Sequence, residues 1–142
     1  MKNDIDVDIT IPSHTRFLRI IGKIGEKVAE EINCPAELRA ALPGHLAVVL
    51  TEGLVNAIKH ANSAEPTKDI HVRINFSHKD LVVRIYDNGI GFDLDAVPEP
   101  SFNSHEMDDK GRGIFILRSL MDTVKYVRSD GENVLEMKKR IG

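Results

Sequence analysis

A polar stripe interrupts the otherwise apolar segment 45–61, which has the composition of a buried helix. The stripe consists of Glu52, Asn56, Lys59 and His60. Helical spacing places these residues within about 100° of one another, on one side of the helix. Burying a carboxylate and an amide is costly unless a partner satisfies them, and a bound ligand or ion would do so. The alternative is that the stripe is the solvated side of the helix, with Glu52 paired to Lys59.

A second candidate is the motif Asp87-Asn-Gly89-Ile-Gly91, which directly follows a predicted strand. At the end of that strand, the Asp87 carboxylate is placed to accept hydrogen bonds from a ligand amine. Gly89 and Gly91 allow the backbone to approach a ligand closely or to adopt a positive φ. The same residues also suit an ordinary turn. No helix opens from them, so the motif is not a dinucleotide-binding fingerprint.

A third candidate is Lys110-Gly-Arg-Gly-Ile114, which leads into a predicted helix. Backbone N–H groups at a helix N-terminus, beside Gly111 and Gly113, favour the binding of phosphate. Arg112 adds a cation at the same place. The alternative is a hinge for the preceding loop, and the two roles are compatible.

The remaining polar and sulfur-containing residues indicate no further chemistry. The histidines at 14, 45, 71, 78 and 105 lack the spacing of metal ligands and are interpreted as surface or capping residues. The acidic residues between 93 and 109 do not fit the spacing of a calcium-binding loop. Cys34, the single cysteine, cannot form an internal disulfide and is interpreted as a small packed residue.

Hydrophobic periodicity predicts the elements that position these motifs. The predicted elements are a strand over 4–11, a helix that Ser13 caps and that runs to about Ile32, a helical turn over 34–42, a helix over 45–61, a hairpin over 70–76 and 81–85, a helix over 112–121, and a hairpin over 123–127 and 133–139. Loops are predicted at 62–67 and 88–110. Because strands and helices do not alternate, this order predicts an α+β fold. We expect a two-layer sandwich whose mostly antiparallel sheet is covered on one face by helices.

Composition limits the class of protein. The 142 residues are 42% hydrophobic and 29% charged, which predicts one globular domain over 1–142 and excludes a disordered chain. No apolar run approaches the ~20 residues that a membrane-spanning helix needs, so we expect no membrane association. A net charge of -3 and the absence of tryptophan argue against a nucleic-acid partner. The N-terminal segment lacks the apolar core of a signal peptide, so we expect a cytoplasmic location.

Taken in order, the segments Glu52–Asn56, Asp87–Gly91 and Gly111–Ile114 resemble the three ATP-binding motifs of the GHKL superfamily, whose ATP-binding domain has the Bergerat fold. The sequence resembles in particular the anti-sigma factor serine/threonine-protein kinases of bacteria, in residues 51–61 and 111–122. The resemblance extends over about 12–140. No helical hairpin with a phosphoacceptor histidine precedes it, which argues against a complete sensor histidine kinase.

The resemblance implies a role for each motif. Asp87 would bind the adenine amino group, and Glu52 would be the general base that takes the proton from a serine hydroxyl. Asn56 would hold the Mg²⁺ that bridges the ATP phosphates. The other residues implied in ATP binding are Lys59, Gly89, Gly91, Gly111, Arg112, Gly113 and Ile114, of which 111–113 would belong to an ATP lid at about 90–112. Many members carry threonines near the adenine in the last strand, whereas 133–137 has none.

The function that the resemblance implies is transfer of the ATP γ-phosphate to a serine of an anti-anti-sigma (STAS-type) protein, together with sequestration of a sigma factor. It also implies a homodimer. Two alternatives stay open: a nucleotide-binding module that switches a partner without phosphate transfer, and a GHKL kinase or ATPase of another signalling pathway. The presence of Glu52 favours an active enzyme over the switch.

Overall fold

The fold is built from five strands and four α-helices in the residues that the computed structural model describes, which are 4–64, 69–88, 109–129 and 131–142. The strands are β1 (Ile5–Pro12), β2 (Asp69–Ser77), β3 (Asp80–Asp87), β4 (Thr123–Ser129) and β5 (Glu132–Arg140). The helices are α1 (Leu18–Glu30), α2 (Ala36–Arg39), α3 (Leu42–Ala64) and α4 (Asp109–Leu120). Their order along the chain is the order that hydrophobic periodicity predicts.

The five strands form one sheet in the order β1-β2-β3-β5-β4, and each neighbouring pair is antiparallel. Alternate side chains of β2, β3 and β5 are buried, as the period of two predicts. The buried face holds apolar side chains such as Ile74, Val83 and Met137. The opposite face carries ion pairs, among them Arg84 Nε at 2.8 Å from Glu136 Oε2. The predicted two-layer α+β sandwich with helices on one face is therefore confirmed.

Two glycines determine how closely α3 approaches its neighbours. At Gly53 in α3, an ideal Cβ would lie 2.5 Å from Cδ1 of Ile85 in β3. At Gly25 in α1, an ideal Cβ would lie 2.4 Å from Cδ1 of Leu50 in α3. Both distances are far below van der Waals contact, and both neighbours are fully buried. Glycine at these two positions therefore lets α3 pack tightly against α1 on one side and against the sheet on the other.

The helix α3 is longer at both ends than its periodicity predicts. It begins at Leu42 rather than at 45, so Pro43 and Gly44 lie in its first turn instead of preceding it. Proline is tolerated there because the N–H groups of a first turn have no intrahelical acceptor. Residues 62–64, predicted as a loop, are helical. Although α3 has 23 residues, no helix in the described segments is long and apolar enough to cross a membrane.

The start of the first helix also differs from the prediction. His14, not Ser13, is the N-cap residue, and its Nδ1 accepts a hydrogen bond from the backbone N–H of Arg16 at 3.0 Å. The capped turn is a short 3-10 helix over Thr15–Phe17, which α1 follows directly. Ser13 is buried instead. The capping role that sequence analysis allowed for the histidines is therefore confirmed for His14, and the one assigned to Ser13 is wrong.

Candidate functional site

A cavity between α3 and α4 brings together residues of the first and third motifs. Its lining residues are Glu52, Val55, Asn56, Lys59, Gly113, Ile114 and Leu117. The α3 side supplies a carboxylate, an amide and an ammonium group, whereas the α4 side supplies a glycine and two apolar residues. A few polar groups held between apolar walls are typical of ligand-binding sites.

Three members of the polar stripe, Glu52, Asn56 and Lys59, line this cavity, whereas another side of α3 is buried in the core at Leu50 and Leu54. Asn56 is 9% exposed and Glu52 is half-buried, whereas Lys59 is exposed. Within the described residues, Glu52 and Lys59 do not form an ion pair with each other. The ion pair that the alternative interpretation assigned to Glu52 and Lys59 is therefore not formed, although Lys59 is solvent-exposed as that interpretation expects. The side chain of His60, its fourth member, lies outside the described residues.

Gly113 in α4 lies directly against the carboxylate of Glu52. An ideal Cβ on Gly113 would be 3.0 Å from Glu52 Oε2, which is closer than ordinary van der Waals contact. The missing side chain at 113 thus makes room for the carboxylate. Ile114 and Leu117 on the same helix are buried and anchor α4 to the core. The first and third motifs, far apart in the sequence, meet at this contact.

The helix α4 begins at Asp109, three residues before its predicted start at 112. The predicted lid at 90–112 is therefore helical over 109–112, and its part 90–108 lies outside the described residues. The first four N–H groups of a helix point out of its N-terminus, and here they belong to residues 109–112, which include Gly111 and Arg112. Gly113 follows these four residues. Its observed role is close contact with Glu52 rather than an N–H group at the helix end.

Asp87 occupies the last position of β3, on the buried face of the sheet. It is 3% exposed, and Asn133 of β5, which lies opposite it in the register, is 0% exposed. Asn133 Nδ2 donates a hydrogen bond to Asp87 Oδ1 at 2.9 Å. A hydrogen bond to an ionised carboxylate is stronger than one between neutral groups, so it holds the Asp87 side chain in one orientation. Gly89 and Gly91 of the same motif lie outside the described residues.

The row of polar residues continues onto β4. Arg128 pairs with Asn133 in the register of β4 and β5, so Asp87, Asn133 and Arg128 form one row across three strands. Tyr126 lies on the same face of β4 and is half-buried. Burial and the negative charge of Asp87 raise the pKa of Tyr126, and the positive charge of Arg128 opposes them. Tyr126 therefore presents a neutral hydroxyl group to this end of the sheet.

Sequence analysis did not identify Asn133, Tyr126 or Arg128 as site residues. Asn133 carried a signal, because alternation along β5 places it on the same face as Leu135 and Met137, which are buried. A polar residue at a core position is informative, since it requires a hydrogen-bonding partner. Tyr126 and Arg128 carried no comparable signal, since both residue types are common in the edge strands of sheets.

Asp87 does not line the cavity between α3 and α4. The two regions are connected through Gly53, which follows Glu52 in α3 and contacts Ile85 of β3. Ile85 lies two residues before Asp87, about 7 Å along the strand. The predicted site residues that share the cavity are Glu52, Asn56, Lys59, Gly113 and Ile114.

The groups in the cavity suit a magnesium–phosphate ligand. In the described part of the chain, no group of three or more His, Cys, Asp or Glu side chains is placed to hold a metal ion. Mg²⁺ commonly takes one or two protein oxygens and completes its octahedron with water and substrate phosphates. The buried amide of Asn56 offers such an oxygen, and Lys59 offers a cation for phosphate. Glu52 adds a proton acceptor beside them.

The sheet order, the helical layer and this cavity define an α+β domain of the Bergerat type. A family model described as histidine kinase-like ATPase domain matches residues 11–139, and the chain belongs to this family. The predicted superfamily is therefore confirmed.

Several curated relatives are named serine-protein kinase RsbW. The protein from Listeria innocua is 31% identical over 99 residues, which cover 66% of this chain and 63% of that protein. The chain therefore spans less than two thirds of that relative's length. The proteins from Bacillus velezensis and Bacillus subtilis are 28% and 23% identical over 141 residues, which cover 94% of this chain and 86% of each relative.

A solved structure has the same fold. The crystal structure of the RsbU and RsbW domains of a Mycobacterium tuberculosis protein matches with a TM-score of 0.64 at 13% sequence identity. The match covers 96% of this chain and 32% of that chain. The shared architecture thus extends over nearly the whole length of this protein.

Proposed function

We propose that this chain is an ATP- and Mg²⁺-dependent serine/threonine-protein kinase of the anti-sigma factor type. The observation that carries the proposal is the contact between Glu52 and Gly113, which unites the first and third motifs in a cavity with Asn56 and Lys59. Membership of the histidine kinase-like ATPase family and the names of the relatives support it. Phosphoryl transfer requires positioning and charge neutralisation more than covalent chemistry, and these groups can supply both.

The proposed nucleotide site extends from the sheet to the cavity. Asp87 accepts a hydrogen bond from the adenine amine at the end of β3, and Asn56 contributes an oxygen ligand to Mg²⁺. Lys59, Arg112 and the N-terminus of α4 neutralise phosphate charge. The remaining proposed contacts are Gly89, Gly91, Gly111, Gly113 and Ile114.

Glu52 is the proposed general base. A serine hydroxyl is a weak nucleophile until a base within hydrogen-bond reach accepts its proton. In the proposed step the serine oxygen bonds to the γ-phosphorus while the bond from that phosphorus to the β,γ-bridging oxygen breaks. The serine proton passes to the Glu52 carboxylate, and ADP leaves. The half-buried position of Glu52, open to the cavity, supports this role.

The proposed protein substrate is a small anti-anti-sigma (STAS-type) protein that carries the acceptor serine, and the proposed second partner is a sigma factor that the kinase sequesters. Both proposals rest on the resemblance of the sequence to the anti-sigma factor kinases rather than on a described contact. The same resemblance leads us to propose a homodimer. The proposed location is the cytoplasm.

The nucleotide site is tested by calorimetric titration of ATP and ADP into the purified chain, with and without Mg²⁺. We expect micromolar binding that strengthens with Mg²⁺. Asp87→Asn should weaken ATP binding roughly tenfold, because a contact with an ionised acceptor is lost. A chain that binds no nucleotide would refute the proposal. An affinity unchanged in Asp87→Asn would refute the adenine contact alone.

Catalysis is tested by following transfer of the γ-phosphate to a purified anti-anti-sigma protein. Glu52→Gln should retain ATP affinity but lose at least about 100-fold in transfer rate, since the base is removed. Glu37→Gln, at an exposed position in α2, is the matched control. Replacement of the acceptor serine by alanine in the partner should abolish labelling. ATP binding without transfer to any partner would instead support the nucleotide-dependent switch.

A further inference from the structure

We infer that Asn133 is a positioning residue that makes the Asp87 carboxylate selective for adenine over guanine. The inference rests on the proposed function, because it assigns the base specificity of the same nucleotide site. It is carried by the 2.9 Å hydrogen bond from Asn133 Nδ2 to Asp87 Oδ1. Both side chains are almost completely buried, so the pair is held inside the sheet layer rather than on the surface.

The chemistry of the pair determines which end of the amide faces Asp87. An ionised carboxylate can only accept hydrogen bonds, so Asn133 must turn its NH₂ group towards it. The register holds the two backbones opposite each other, which keeps the side chains in reach. Asn133 donates its amide N–H to Asp87, the residue with the proposed contact to the base. Through this hydrogen bond it can influence a bound base by way of Asp87.

Adenine and guanine make different demands on a carboxylate. Guanine presents two neighbouring donors, N1–H and the exocyclic amine, which engage both carboxylate oxygens as an arginine fork does. Adenine presents one exocyclic amine beside a ring nitrogen that accepts, so a single oxygen suffices. Asn133 already donates to Oδ1 of Asp87. Guanine, which needs both oxygens, must therefore share Oδ1 with Asn133, whereas adenine needs one oxygen alone.

Calorimetric titration of MgATP and MgGTP into the full chain tests the inference. Asn133→Leu keeps the branching of the side chain at Cγ and removes the donor. We expect it to lower the ratio of ATP affinity to GTP affinity roughly tenfold, because a hydrogen bond to a charged group no longer competes with guanine. Leu135→Val, which trims a buried side chain two residues along the same face of β5, is the control and should leave the ratio unchanged. A merely structural role would weaken both nucleotides alike.

Asn133→Asp provides a second measurement if the leucine variant folds poorly. Two carboxyl groups this close together share a proton, so the pair of Asp87 and the introduced aspartate has one raised pKa. When the introduced carboxyl group is protonated, it donates a hydrogen bond to Asp87 as the amide does. When it is ionised, it has no proton to donate. On the same face of the neighbouring strand β4 lie Arg128, which stays positive, and Tyr126, whose raised pKa keeps it neutral. The ATP-to-GTP ratio of the variant should therefore rise as pH falls, while that of the unmodified chain stays constant.

Two results would overturn the inference while leaving the nucleotide site intact: an unchanged ATP-to-GTP ratio in Asn133→Leu, or a ratio independent of pH in Asn133→Asp. Failure of the unmodified chain to bind either nucleotide would overturn the proposed function and the inference with it. A lowered ratio in the leucine variant, with Leu135→Val unchanged, would establish Asn133 as the specificity determinant.

Discussion

The close approach of α3 to the sheet at Gly53 predicts that Gly53→Ala destabilises the domain. The added Cβ would lie 2.5 Å from Cδ1 of Ile85 and 3.4 Å from Cε of Met137, and both neighbours are buried. Forcing an extra methyl group into a packed core costs about 1–3 kcal/mol. Replacing glycine by alanine inside a helix returns about 1 kcal/mol. The net loss in unfolding free energy should therefore be about 0–2 kcal/mol.

Gly44→Ala is the matched control for this substitution. Gly44 lies in the same helix, and an added Cβ there would meet nothing within 4 Å. It should therefore stabilise the domain by at most about 1 kcal/mol, the gain in helix propensity alone. Urea denaturation followed by circular dichroism should separate the two variants by about 1–3 kcal/mol. If Gly53→Ala proves as stable as Gly44→Ala, the packing argument fails.

The Ile85→Val substitution tests whether the stated contact is the cause, because it deletes the Cδ1 atom that the new Cβ would meet. Alone it should cost about 1 kcal/mol. Combined with Gly53→Ala, the loss should be smaller than the sum of the two single losses by about 1 kcal/mol, as expected for residues in contact. Strict additivity would refute the assigned contact. Since Glu52 and Asn56 lie on the same helix, Gly53→Ala should also weaken ATP binding.

Three further predictions concern the cavity and the sheet. Asn56→Ala should abolish the Mg²⁺-dependent part of ATP affinity in calorimetry, and an Mg²⁺ response equal to that of the unmodified chain would contradict the metal role. In Gly113→Ala the added Cβ would lie 3.0 Å from Glu52 Oε2 and displace the carboxylate. This substitution should preserve thermal stability but slow phosphate transfer severalfold, and an unchanged transfer rate would count against this geometry. Burial favours a raised pKa for Glu136, but the hydrogen bond and charge of Arg84 outweigh it, so the pKa of Glu136 lies below its ordinary value. A carboxyl group with a lowered pKa stabilises the fold at any pH above its ordinary pKa, and this stabilisation is lost as the pH falls through the folded-state pKa. Glu136→Gln should therefore lower the free energy of unfolding by up to about 1 kcal/mol at neutral pH and leave it unchanged in strong acid. A loss that does not depend on pH would exclude this linkage.

Spacing along single elements was sufficient to predict much of the site. The period of two in β2, β3 and β5 and the helical period of α3 are local properties, since side chains three or four positions apart share one side of a helix. Glu52 and Asn56 are therefore on the same side of α3 whatever surrounds them. Helix ends were predicted less well: the starts at Leu42 and Asp109 depend on turns that tolerate proline or glycine and on packing against neighbours.

What the sequence determined by itself is thus the kind of each element, the α+β class, and the residues that share one side of an element. The tertiary structure decided which elements are neighbours. It inserted β5 between β3 and β4, which brings Asn133 to Asp87 across 46 positions of sequence, and it brought Gly113 to Glu52. Local spacing follows from the geometry of one helix or strand, whereas these contacts arise because all apolar faces must be buried together in one core.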